Sequence, residues 1–210
     1  MVSAALIALA VLQLALTARL GDPRPWPVPR RWLLWAVGIG LAYDSAMVGL
    51  GAWIGAGPTL EALSWWRFFG HAVLTPLLVV WAAWRYTAST KVRAGAVALA
   101  VALIVWGLLA DVRGHDLVPR EWADTLRYAA DHPAPPIPAV LVVFVLVVAG
   151  VLARRREHRS ELLWGSLIMV VAAGLGPVAP PLGNLGEAVL LAAIVAAERS
   201  APRARSSVPA

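Results

Sequence analysis

Asp44 interrupts an apolar run from Trp32 to Trp53 that is long enough to cross a bilayer. An ionised acid in that setting costs about 2.5–3.5 kcal/mol on insertion scales, so it is kept for a reason. Downstream, Arg67, His71 and Thr75 recur at i, i+4 and i+8 and stack along one helix face. Asn184 and Glu187 open the last apolar run. Carboxyl groups, an imidazole and a guanidinium at one depth in a dry interior are the parts of a proton-transfer site. Burial favours the neutral, protonated form of a carboxyl group, and a nearby cation favours its ionised form. Asp44 and Glu187 are the candidate acids, with Arg67, His71, Asn184 and Tyr43 in support. Each also has a structural reading. Asp44 could simply pair with Arg67 or His71. Glu187 could sit at a helix N-terminus, where the dipole welcomes negative charge. Arg67 could anchor at the headgroups, and His71 could be a hydrogen-bonded packing residue.

Eleven tryptophans accompany these groups in a chain with three tyrosines and three phenylalanines. Trp53, Trp65, Trp66, Phe69 and Trp106 lie at the depth of the acids and are candidates for the wall of a cavity. Others, including Trp32, Trp81, Trp84 and Trp164, fit the aromatic belt at the opposite interface.

Several chemistries lack their parts. There is no cysteine, so disulfides and thiolate metal sites are excluded. No glycine-rich phosphate loop, paired histidines or aspartate-rich diphosphate motif appears in the apolar runs, and the reading includes no metal and no cofactor. The single lysine, Lys91, lies between runs, which excludes a retinal Schiff base in a helix.

Composition dictates the architecture that holds these residues. Hydrophobic residues make up 60% and charged residues 14%, against about 45–50% and 25% in soluble domains. The mean hydropathy is +0.73. The expectation is an all-α integral membrane protein embedded in a lipid bilayer as a single domain over 1–199, with a polar, disordered tail over 200–210. Seven spans are drawn at roughly 2–20, 32–53, 66–86, 93–111, 137–153, 161–178 and 184–198. The last is short, and Gly176 to Pro181 breaks the helical pattern before it, so six spans plus a re-entrant segment is the alternative. Arginine clusters follow the first, third, fifth and seventh spans, which puts the N-terminus outside and the C-terminus in the cytoplasm. The same clustering argues for topology determinants and against a nucleic-acid partner. In the long connection 112–136, the stretch from Pro119 to Asp131 places Trp122, Leu126 and Ala129 or Ala130 on one face, which predicts a short interfacial helix, either an ordinary surface segment or a lid.

Seven spans with Tyr43-Asp44 in the second and Glu187 in the seventh resemble the integral membrane terpene cyclases of meroterpenoid pathways, including the bacterial indole-sesquiterpene (drimentine-type) branch. The fungal members carry the two acid types in the reverse order. The resemblance implies a proton-initiated cyclase in the bacterial cell membrane, acting on a farnesyl chain attached to an indole or other aromatic. Asp44 would be the general acid, Glu187 would assist or take the final proton, and the aromatic residues would shield the migrating cation. The same residues also compose a proton relay, so a small proton-coupled transporter stands as the alternative, beside a non-catalytic assembly or lipid-binding protein. Substrate identity and oligomeric state are not written in the sequence.

Overall fold

The computed structural model describes residues 1–21, 29–113, 116–132 and 136–200. The segment 201–210, expected to form a tail, lies outside the described residues, as does Trp26. The chain is mostly helical: α1 (Val2–Ala18), α2 (Pro29–Ile54), α3 (Pro58–Leu74), α4 (Leu77–Tyr86), α5 (Thr90–Gly107), α6 (Ile137–Glu157), α7 (Glu161–Leu175) and α8 (Pro181–Arg199). Five stretches are long and apolar enough to cross a membrane: Arg31–Ile54, Pro58–Tyr86, Thr90–Ala110, Ile137–Glu157 and Pro181–Arg199. α1 and α7 are apolar but shorter.

These bounds correct the sequence expectation in three places. The last helix has 19 residues because Pro181 sits in its first turn, where a missing N–H costs nothing, and does not delay its start. The third run begins eight residues earlier than drawn, at Pro58, again with proline in the first turn. It is also broken at Thr75-Pro76 into α3 and α4, since Pro76 cannot donate to the preceding turn.

α1 lies against α2 and α8, α2 against α3, and α6, α7 and α8 pack in sequence. The main apolar core joins Leu34 and Val37 of α2, Trp81 of α4, Val142 and Leu146 of α6, and Leu191 and Ile194 of α8. It occupies the half of the bundle away from the α2–α3 turn. At that core end, Trp81 is fully buried (0% exposed) and donates through Nε1 to Glu198 Oε2 at 3.1 Å. It is a core residue and not the expected belt anchor, because the neighbouring carboxylate satisfies its indole N–H. Arg85 makes a two-pronged contact to Glu157, 2.7 Å at each oxygen, and also donates to the Ala197 carbonyl at 3.4 and 3.3 Å.

The connection after α5 differs most from expectation. α5 ends in a π-helical turn, Leu108–Val112, packed on α3. Beyond this turn the chain forms an antiparallel hairpin of β1 (Leu117–Trp122) and β2 (Thr125–Ala130), and not an interfacial helix. Two short strands alone are marginal in water. This hairpin is held by the ends of three helices. Asp124, in its turn, accepts from the backbone N–H of Val2 at 2.8 Å and of Ser3 at 3.4 Å, and Ser3 Oγ donates to its carbonyl at 2.5 Å. The Met1 amine also contacts this carboxylate. A carboxylate from another element thus caps α1, whose first N–H groups have no partner of their own. The Met1 amine is the main reason the Asp124 carboxyl lies below the usual carboxylate range. On α2, Gly51 lets the Leu126 carbonyl approach so closely that a Cβ would lie 1.8 Å from its oxygen. On α3, Ser64 Oγ accepts from the Tyr128 N–H at 3.3 Å. The hairpin therefore covers the end of the bundle opposite the core.

Candidate functional site

Three helices bring the candidate acids together between the core and the hairpin. α2 supplies Asp44, α3 supplies Arg67 and His71, and α8 supplies Asn184 and Glu187. Arg67 Nε donates to Asp44 Oδ1 at 2.8 Å. Asn184 Nδ2 donates to Asp44 Oδ2 at 2.6 Å and lies 3.3 Å from the Ser45 hydroxyl. Both oxygens of Asp44 are therefore occupied, which matches its reading as an ion-pair partner of Arg67. His71 Nδ1 stands 3.7 Å from Glu187 Oε1, within ion-pair range. Glu187 Oε2 and Arg67 NH1 are buried with no hydrogen-bond partner. Arg67 is also close enough for its charge to act on Glu187.

The local sequence explains the convergence. Arg67 and His71 are one helical turn apart, so both meet α2 and α8 from one face of α3. On α8, Asn184 and Glu187 are spaced i, i+3 and share a face in the same way. Charges turned outward among apolar helices would lack partners. Turned inward, the Asp44 and Arg67 side chains are only 20% and 12% exposed, and they pair.

A cleft opens beside this cluster. Val37, Gly40, Leu41 and Asp44 of α2 form one wall, and Arg67, Gly70, His71 and Leu74 of α3, with Thr75, form the other. It is small, with room for about a single water. Gly70 helps keep it open, for a Cβ there would meet nothing within 4 Å.

The remaining candidates are placed elsewhere. Tyr43 donates to the Leu63 carbonyl at 2.9 Å and ties α2 to α3. None of Trp53, Trp65, Trp66, Phe69 and Trp106 lines the cleft. Trp53 is 77% exposed, Trp66 54% and Trp106 44%. Trp65 stacks on Phe69 at 5.5 Å, and Trp66 meets both edge-on. The aromatic residues expected as a cavity wall thus stand apart from this cleft. Trp65, Trp66 and Phe69 pack on one another, and the cleft is walled by aliphatic and glycine residues together with Asp44, Arg67, His71 and Thr75. Thr75 and Gly70 were not singled out as lining residues in the sequence, and Ser45 gave no signal there.

One further residue belongs to this region. Arg127 on β2 is half-buried, set between the Leu126 contact to α2 and the Tyr128 contact to α3. Burial lowers its affinity for a proton below the ordinary arginine value. The charge of Arg67 acts in the same direction, and Asp44 opposes it. Sequence analysis left Arg127 on the interfacial helix predicted for 119–131, whereas the hairpin sets it between backbone contacts to α2 and α3.

No cluster of three or more metal-ligating side chains occurs among the described residues. No family model, curated protein or solved structure matches the chain.

Proposed function

We propose that the chain is a membrane-bound terpene cyclase in which Glu187 delivers a proton to the terminal double bond of a prenyl chain. The observation that carries this reading is the contrast between the two acids. Asp44 has each oxygen engaged, by Arg67 and by Asn184, whereas Glu187 Oε2 has no partner. The roles of the two acids are thus exchanged from the sequence expectation. Asp44 fixes Arg67, and Glu187 carries the mobile proton.

In the proposed reaction the Glu187 O–H bond breaks and its proton adds to the alkene. The π electrons form the new C–H bond and leave a tertiary cation. Internal double bonds attack the cation in turn and close the rings. The last cation loses a proton, with His71 as the acceptor nearest Glu187, and the proton returns to the acid. The Arg67 charge stabilises the glutamate anion between these steps. No oxidant, metal or diphosphate enters, and the product is an isomer of the substrate.

The proposal includes seven crossings of a bacterial cell membrane, with the hairpin end outside and α8 ending in the cytoplasm. α1 and α7, with 17 and 15 residues, reach about 23–26 Å at 1.5 Å per residue. Local thinning of the bilayer accommodates them. A prenyl chain needs more space than the cleft offers, so α2 and α3 must part as substrate enters from the lipid.

That small cleft favours a second reading, a proton-coupled transporter in which the same acids relay protons through bound water. One set of experiments separates the two. Purified protein in detergent should convert a farnesylated indole to cyclic isomers of unchanged mass without Mg²⁺, and Glu187→Gln should abolish turnover. Full activity in that variant would reject Glu187 as the acid. Proton flux in proteoliposomes, lost in the same variant and without isomer formation, would assign the transporter.

A further inference from the structure

Gln13 is the only glutamine in the chain, and the fold places it in the interior of the bundle, 0% exposed. Among the described residues its Oε1 and Nε2 have no hydrogen-bond partner. An unpaired amide in an apolar interior is costly, because water has been stripped from its donors and its acceptor alike. The packing of α1 on α2 fixes what it faces. A Cβ on Gly38 would lie 2.0 Å from Thr17 Oγ1, and one on Gly49 would lie 2.9 Å from the Ser3 carbonyl and 2.9 Å from Ile7 Cγ1. The two helices therefore run antiparallel in close contact. Gln13, one turn before Thr17, faces α2 one turn beyond Gly38. There α2 carries Ala42 and then Ser45, both buried, on the stripe that joins Gly38 to Gly49. Ser45 also belongs to the acid cluster. Its hydroxyl accepts from Asn184 Nδ2 at 3.3 Å, and the same nitrogen donates to Asp44 Oδ2 at 2.6 Å. With its oxygen accepting from Asn184, Ser45 still has its own proton to give.

We propose that a single buried water binds in the seam between α1 and α2, accepting the proton of Ser45 and donating to Gln13 Oε1. Ser45 stands three residues past Ala42, about 4.5 Å along the axis. One water closes that gap with two hydrogen bonds of about 2.8 Å. The side chains opposite Gln13 are small, which suits an occupant no larger than water. Gln13 is then a positioning residue. Through the water and Ser45 it holds Asn184 on Asp44 from the α1 side of α2, whereas the cleft lies on the α3 side. The inference concerns hydration of the interior and holds under either reading of the activity.

Asn184 is likewise the only asparagine. The full chain in a neutral detergent, labelled with ¹⁵N only in the side chains of glutamine and asparagine, therefore gives one amide signal for each. The Gln13 amide protons should show a cross-relaxation peak to water with the sign of dipolar transfer and not of chemical exchange, because a trapped water tumbles with the protein. Ser45→Ala should weaken that peak strongly. Gln13→Leu, close in size, should shift the Asn184 signal, and Leu12→Ala, at an exposed position of the same helix, should leave it in place. Absence of the water peak in the parent overturns the proposal, and that measurement needs no variant to fold. A peak undiminished in Ser45→Ala also overturns it. So does an Asn184 signal that stays unmoved in Gln13→Leu, since the amide would then have no link to the acid pair.

Discussion

Arg67 and Asp44 meet at 2.8 Å through one guanidinium nitrogen, Nε, while the NH1 of the same guanidinium is buried without a partner. The pair is therefore held by one prong only, and its second prong is available to a neighbouring anion. Glu187 offers an unpartnered oxygen on the same side of the bundle. This asymmetry separates a fixed acid from a mobile one, and it sets the first expectation.

Asp44→Asn leaves the Arg67 charge without its counter-charge in a poorly hydrated site. We expect a loss of about 3–5 kcal/mol, measured as a lowered melting temperature in detergent. Asp44→Leu combined with Arg67→Met should lose less than either single change, because no charge is then stranded. If the losses simply add, the two residues are not coupled.

Gly70 probes the cleft. Alanine fits its open side and removes the entropic cost of a mid-helix glycine, so Gly70→Ala should raise stability by about 0.5–1 kcal/mol. Gly70→Leu would fill the space between α2 and α3. Turnover should fall at least tenfold in that variant with the melting temperature near that of the parent. Unchanged turnover would move the reacting centre away from this cleft.

Much of this site was legible in the sequence, for one physical reason. Charged groups inside apolar runs are so costly that Asp44, Arg67, His71, Asn184 and Glu187 had to turn toward one another. Helical periodicity then gave the shared face of Arg67 and His71. The hairpin was not legible in the same way. Trp122, Leu126 and Ala130 are spaced four apart and fit a helix as well as any surface strand. The competing signal was a period of two, with Leu126, Tyr128 and Ala130 on one side of β2, around a tight Ala123-Asp124 turn. What decides between them is tertiary: α1 needs a cap and Gly51 leaves a place for a carbonyl. Trp81 and Glu198 were hidden for another reason. A tryptophan and an acid beside an arginine cluster look like interface residues until a bundle closes over them.

The hairpin should respond to acid. The Asp124 carboxyl lies below its ordinary value, so the stabilisation it gives is present above the unfolded carboxylate value of about 3.9. It is lost as pH falls through the lower, folded value. Protection of the β1 and β2 amides from hydrogen exchange, measured against the intrinsic rate at each pH, should therefore stay high at pH 5 and fall only below about pH 4. Asp124→Ala should show fast exchange in the hairpin and in the first turn of α1 at neutral pH. Exchange that is unaffected in this variant would mean that the contacts at Gly51 and Ser64 suffice.

At the other end, Arg85 is 5% exposed and binds Glu157 with both prongs. Arg85→Ala strands Glu157 and frees the Ala197 carbonyl. We expect a loss of about 3–5 kcal/mol, against a smaller loss for Arg85→Lys, which keeps the charge but only one prong. Ligand binding measured well below the melting temperature should be unaltered in both, since these contacts lie across the core from the cleft.

The break at Thr75-Pro76 gives the two halves of that long helix separate duties. The lower arm is moored to α6 and α8 through Arg85, and Trp81 seats it in the interior. The upper arm bears Arg67 and His71, and at its base Pro76 omits one rung of the backbone ladder. A tilt of the upper arm about that break would widen the passage and carry the guanidinium from one acidic neighbour toward the other in a single stroke.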